Sequence, residues 1–391
     1  MENSLRNKII GFLFFIVIFF LTRQVPFAQY SIMSNIALIG IVFILFPRDL
    51  YFALFTCILI GFVGYSMILE NNFNNIIRFF IILWTICAAY YIKVPNYAFK
   101  ILFILSLIQC FIVILCELYL VFIADKSTAT LIRLFSLKAG WGDIYTFNNY
   151  YYRVQIKGNA IIPFIYMLSY YSSIFPQRRV LLLRSIYLLA IICSGQFAFI
   201  ISIFCFHIYQ YFNNVSSSNQ AAKKIVFILI IAGAILKPTL DYVDSTLERK
   251  KESSTATRVD QTKVLMKDLK ESNLTFLFGK GLGNTLSVKT QYRDYTNDIY
   301  FELQTLYIIN QLGILPFIAF LIYNIYLTKR YIINKDHIII YLFYLLYAIT
   351  NPYVFDTTHI VVILTLCSIK SYKNGNTGIE QDRMCSGFIQ T

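Results

Sequence analysis

Charge is scarce in this chain. Only 14% of its 391 residues are Asp, Glu, Lys or Arg, against roughly 25% in ordinary soluble domains. Histidine is scarcer, with three in all, His207, His337 and His359. None sits in a motif that a serine hydrolase or a metal centre needs, so those classes are set aside. The eight cysteines form no Cys-x-x-Cys pair and no Cys/His ligand spacing; all lie in apolar runs except Cys385, in the tail. They read as small buried hydrophobes rather than a disulfide framework or a zinc site. The first apolar run, at about 9–21, lacks a small-residue cleavage site, so we expect a membrane helix there rather than a removable signal. Internal repeats and low-complexity segments are lacking as well.

What the chain has is apolar sequence, 58% of residues with a mean hydropathy of +0.63. Continuous runs such as FLFFIVIFFL do not alternate, which excludes a transmembrane β-barrel. An all-α polytopic integral membrane protein remains. At ~20 residues per crossing, about twelve spans are expected. They fall near 8–22, 29–46, 50–69, 75–92, 98–123, 159–175, 180–194, 196–212, 224–240, 301–323, 337–350 and 358–369. The expected organisation is five helices in 1–123, a long loop at 124–158, four helices in 159–240, a larger loop at 241–300, three helices in 301–369 and a disordered tail at 370–391.

The short loops are sharply biased. Sixteen Lys and Arg residues, from Arg6 to Arg383, fall on one side of this topology, and Arg23 alone falls on the other. The positive-inside rule then places both termini in the cytoplasm and both long loops outside. The net charge of +14 is largely this topological signal, so no nucleic-acid partner is expected.

FGKGLGN, at Phe278–Asn284, looks like a phosphate-binding glycine loop. A P-loop needs Ser or Thr after Gly-Lys, and here Gly281 follows Lys280. An outer loop also has no ready supply of nucleotide. Upstream, Thr257-Arg258-Val259-Asp260 resembles a capping box with Thr257 as N-cap. It leads into an expected amphipathic helix from Arg258 to about Ser272. At that helix start Arg258 is either an anion clamp or an ordinary solvated arginine. The first loop ends YYYRVQIKGN, where Arg153 and Lys157 follow Tyr150, Tyr151 and Tyr152. The tyrosines are either an interfacial belt or a sugar-stacking surface. Glu302 stands at the mouth of an apolar helix, where a carboxylate needs a partner, most naturally an arginine. Arg78 lies near the outer end of its span and either snorkels or functions. His359 is expected to pack or hydrogen-bond at an outer helix start.

These residues carry a resemblance. RVQIKGN at Arg153–Asn159, the turn SGQ at Ser194–Gln196, RVDQTKVLMKDL followed by LFGKGLGN, and ELQTLYIINQLGIL resemble segments of the O-antigen polymerase (Wzy-type) and O-antigen ligase superfamily. The topology resembles it too, with a large outer loop before the last three helices. Gln196 departs from the Ser-Arg common at that turn. Glu302 stands where the ligase branch carries His-Asn, which favours a polymerase.

The resemblance implies a fold like the membrane-embedded C-type glycosyltransferases. It implies transfer of a glycan chain from undecaprenyl pyrophosphate to a lipid-linked repeat unit, at the periplasmic face of the inner membrane. No metal or other cofactor is implied, and a chain-length regulator is a candidate partner. In that reading Arg153 and Arg258 stabilise the pyrophosphate leaving group, with Lys280 in support. Glu302 is a general base or an ion-pair partner holding an arginine. Gly281, Gly283, Lys157 and Arg78 contribute to substrate binding. FGKGLGN is then a phosphate-side loop, or a turn that only returns the chain to the bilayer. An O-antigen ligase and a lipid-linked oligosaccharide flippase are the rival functions, and an assembly partner tolerant of alanine at Arg258 and Glu302 is the plainest one.

Overall fold

The computed structural model describes residues 2–30, 32–45, 49–146, 151–171, 179–213, 256–289, 294–299, 301–349 and 351–369. The expected span at 224–240, the start of the second long loop up to 255, and the tail at 370–391 lie outside the described residues.

The chain is mostly helical. The N-terminal half holds α1 (Glu2–Leu21), α2 (Ile32–Leu45), α3 (Leu50–Ile68), α4 (Phe73–Ala89) and α5 (Asn96–Phe122). The expected loop at 124–158 is structured. It begins with α6 (Lys126–Lys138), capped by Asp125, whose carboxylate accepts from the Thr128 amide. An antiparallel hairpin follows, β1 (Gly142–Thr146) with β2 (Tyr152–Ile156). Then come α7 (Ile161–Leu168), α8 (Val180–Ser194) and α9 (Phe197–Asn213). Gly195 ends α8 in the left-handed region, φ 58°, where glycine carries no Cβ penalty. α8 and α9 therefore stay separate helices across the SGQ turn.

The amphipathic helix is α10 (Ala256–Leu269), and a six-residue helix, α11 (Asn273–Phe278), follows. α10 already includes Ala256, so Thr257 lies inside its first turn rather than capping it. The first end signal is further on: Ser272 caps α11, its Oγ accepting from the Thr275 amide. A second hairpin, β3 (Leu286–Lys289) with β4 (Asp294–Asp298), leads to α12 (Gln304–Leu312), α13 (Ile314–Tyr331), α14 (Lys335–Ile349) and α15 (Thr357–Ser368).

α3, residues 97–122 of α5, and the bent pair α12–α13 are long and apolar enough to cross a membrane. Among the described residues, six further apolar helical stretches have 10–17 residues. The described residues thus do not support a count of about twelve full-length crossings. Local breaks shorten the runs. α7 spans only eight residues of the expected 159–175. The expected span at 301–323 is two helices, bent by 116° between Leu312 and Ile314.

α15 is apolar on all sides and buried from Thr357 to Leu366, as expected of a helix at the centre of a bundle. It packs on α4, α1, α14 and α7. α3, α5 and α8 instead leave Leu54, Ile58, Ile104, Phe111, Leu182 and Leu189 exposed. Water penalises such apolar faces, and a lipid bilayer accepts them.

Candidate functional site

One end of the bundle collects every sequence-derived candidate. The chain of contacts runs from the end of α1 to the start of α15 through Arg23 and Asp356, at 2.6 Å. It passes from the 353–356 turn to the α8–α9 turn through Gln196 and the Tyr353 hydroxyl. Separately, the α3–α4 turn meets the FGKGLGN loop through Asn71, whose amide donates to the Lys280 carbonyl at 2.8 Å.

Arg258 and Glu302 meet. Arg258 Nε donates to Glu302 Oε2 at 3.2 Å. α10 brings the arginine there by a stripe at four-residue spacing: Thr257, Gln261, Leu265 and Leu269 are buried, and α10 packs on α12. The carboxylate arrives in the turn just before α12, where Gln261 Oε1 also accepts from the Leu303 amide. The terminal amino groups of Arg258 bond to no described residue. The arginine lines an open groove of about 440 Å³ with Val259, Thr262, Lys263 and Leu303. The pair is half exposed, with side-chain accessibilities of 42% and 20%. Ion pairs of that kind contribute only about 0–1 kcal/mol to stability. Orientation of the guanidinium over the groove is the larger consequence.

FGKGLGN is a lock between helices. The Gly279 amide donates to Thr275 O, the Lys280 amide to Asn310 O and the Gly281 amide to Gln311 O. Leu282 N–H reaches Ser66 Oγ and Gly283 N–H reaches Gln311 Oε1. Five successive amides are therefore held by protein acceptors, which leaves none of them to cradle a phosphate. Lys280 forms ion pairs with Glu271 and, at 3.8 Å, Asp268. Partial burial pulls its pKa down, but the two carboxylates outweigh this and hold it above the ordinary value. A Cβ on Gly281 would sit 3.0 Å from Ser66 Cα, and one on Gly283 would sit 2.6 Å from the Ile76 amide. The geometry favours tight packing of this loop on the α3–α4 turn.

Arg153 sits elsewhere on the same end, in β2 opposite Tyr145. Its side chain lies across Gly195, where a Cβ would be 2.5 Å from Arg153 Cγ. Its Nε is buried without a hydrogen-bond partner. Burial lowers its pKa, an effect opposed by Tyr145 and Tyr151. No hydrogen bond or ion pair joins it to Arg258 or Glu302 among the described residues. Glu117, near the C-terminal end of α5, accepts from the Tyr152 amide at 2.9 Å, and its other oxygen has no partner among the described residues. An isolated acidic residue in the apolar run 97–122 was its sequence signal. Gly195→Ala should cost ~1–2 kcal/mol from the left-handed backbone alone and push Arg153 aside. Thermal unfolding of the purified protein checks this, and an unchanged midpoint would contradict the Arg153–Gly195 packing.

Sequence reasoning also passed over Asn310 and Gln311, two buried polar residues interrupting an apolar run. Asn310 Nδ2 donates to Asp268 Oδ2 at 2.8 Å, which fixes α10 against α12. The histidines are structural here: His359 Nε2 pairs with the Tyr341 hydroxyl, and its Nδ1 with Val354 O. Among the described residues no three His, Cys, Asp or Glu side chains gather. Comparison with protein-family models, with curated proteins and with solved structures finds no match.

Proposed function

We propose that the chain is a surface-polysaccharide polymerase of the bacterial inner membrane, a glycosyltransferase that uses an undecaprenyl-pyrophosphate-linked donor. In this reading about twelve spans, at ~20 residues each, carry it through the bilayer. Both termini are cytoplasmic and the groove faces the periplasm. The observation that carries the reading is the Arg258–Glu302 pair at 3.2 Å on the rim of an open groove.

The chemistry follows from charge. As the donor sugar leaves its pyrophosphate, the bond electrons pass to a phosphate oxygen. The terminal amino groups of Arg258 supply positive charge at that point, preorganised by Glu302 on Nε. Lys263 on the same groove adds to the field. The acceptor hydroxyl attacks the anomeric carbon as the bond to the pyrophosphate oxygen breaks, and its proton passes to the Glu302 carboxylate or to water. The cation in this reading is a guanidinium rather than a metal ion.

The test is a gel of surface polysaccharide from a host strain lacking the gene. The expected result is collapse of the ladder to core carrying a single repeat unit. Loss of the capped core altogether would overturn the polymerase. Long lipid-linked chains on the outer face would then identify a ligase, and single units trapped inside a flippase.

A further inference from the structure

A second polar constellation on the same end uses none of the groove residues. The Gly158 backbone is pressed onto the end of α1: a Cβ there would lie 2.7 Å from Thr22 O and 3.3 Å from Arg23 O. Gln109 ties this knot from α5, its Nε2 donating to Lys157 O and Asn159 Oδ1. Arg23 reaches Asp356 across it. Asp356 Oδ1 is already shared, because it also accepts from the amide and hydroxyl of Thr357 at the start of α15. Lys157 and Arg78 make no ion pair with any described residue. Arg23 therefore holds the one heavily used carboxylate, and Lys157 and Arg78 lie near enough for their charges to be felt there. Lys157 registers the crowding: partial desolvation, then Arg23 and Arg78, lower its pKa, against which Asp356 works.

Unmet polar groups lie beside these cations. Arg23 Nε, both polar atoms of the Gln24 amide, and Gln109 Oε1 are buried without partners among the described residues. Gln24 is only 4% exposed. Buried polar groups normally have partners, since leaving one unmet costs roughly 1–3 kcal/mol. A cluster of such groups next to surplus positive charge fits a polar anionic ligand. Phe27 and Tyr30, just beyond Gln24, are each 46% exposed, as aromatics at a membrane interface are.

We propose that Arg23, Lys157 and Arg78 form an anion site for a phosphate carried on a lipid, distinct from the Arg258–Glu302 groove. A polymerase handles two lipid-linked substrates, each with its own pyrophosphate. The site then holds the pyrophosphate of one while the groove acts on the other. That occupant rests on the function proposed above; the site itself does not.

Lys157 and Arg78 have exposed side chains, so Lys157→Gln with Arg78→Gln spares the folded core. Purified full-length protein is titrated in phosphatidylcholine nanodiscs with undecaprenyl pyrophosphate and, separately, with phosphatidylglycerol. The double variant should bind undecaprenyl pyrophosphate roughly tenfold or more weakly than the unaltered chain, and Lys157→Arg should retain most of the affinity. If the double variant does not accumulate, Lys157→Glu alone provides the same comparison. A loss confined to undecaprenyl pyrophosphate identifies the substrate as occupant. An equal loss for phosphatidylglycerol identifies a bulk anionic headgroup and still supports the site. Unchanged binding of both lipids, or binding of neither by the unaltered chain, overturns it. Binding does not depend on turnover, so failure of the polymerase reading in the gel leaves this result interpretable.

Discussion

On the polymerase function proposed above, Arg258→Ala should lower chain elongation by roughly 10²–10³-fold, the range seen when one preorganised donor to a developing oxyanion is removed. Thermal unfolding should hardly move. The arginine is half exposed, and the bond its side chain makes to a described residue is the one to Glu302. A pair of that kind is worth about 1 kcal/mol or less to the fold, so a large activity loss with a small stability loss separates function from scaffolding. Glu302 gives the sharper comparison. Glutamine keeps an oxygen that can accept from Arg258 Nε, whereas alanine does not. If Glu302 acts by orienting the guanidinium, Glu302→Gln keeps most of the elongation rate and Glu302→Ala falls to the level of Arg258→Ala. The double variant Arg258→Ala with Glu302→Ala then loses little more than either single one, because the residues act as a unit. A glutamine variant as inactive as alanine would make Glu302 the base. Full activity in Arg258→Ala would remove the groove from the mechanism. The readout is ladder length per unit time from purified enzyme and a lipid-linked repeat unit.

Gly313→Ala should be the most destabilising single-methyl substitution at this end of the molecule, at a cost of ~3 kcal/mol or more. Gly313 has φ 75° and ψ 173°, and Gly279 has φ 76° and ψ −175°. Essentially only glycine occupies that region. The two glycines also meet: a Cβ on Gly313 would lie 2.4 Å from Gly279 N, and one on Gly279 would lie 2.2 Å from Gln311 O. Both near atoms are backbone and cannot swing aside. The 116° bend between α12 and α13 therefore depends on two facing backbones with no side chain between them. Gly279→Ala should behave alike, and the two changes together should cost less than their sum, since the first already opens the contact. Poor accumulation and a lowered unfolding midpoint are the expected results. A Gly313→Ala protein with an unchanged midpoint would mean the bend is not rigidly held.

The same junction shows where local reading stops. NQLG in IINQLGIL is visible as a polar and flexible interruption in an apolar run, but its meaning is not. Asn310 and Gln311 are buried because Lys280, Gly281 and Gly283 supply their backbone donors. That partner segment lies far away in the chain. FGKGLGN likewise looks like a phosphate loop until the destination of each amide is known. Thr257 looks like a cap because Asp260 follows at the capping-box spacing, yet the helix already runs at Ala256. The expectation that Glu302 needs an arginine came from the cost of a carboxylate at a helix mouth. Which arginine it meets follows from α10 packing on α12.

By itself the sequence determined the helical, apolar character of the protein, its break point at Gly195, and the need of the Glu302 carboxylate for a partner. Those are local properties, set by hydrophobic burial and by backbone preferences that act within a few residues. The tertiary structure alone decided that α12 and α13 turn sharply, that the glycine loop is a lock, and that Arg258 faces Glu302 while Arg23 faces Asp356. Each of these joins groups distant in sequence, and charge and hydrogen-bonding capacity say that a partner is needed without saying which one packing will bring.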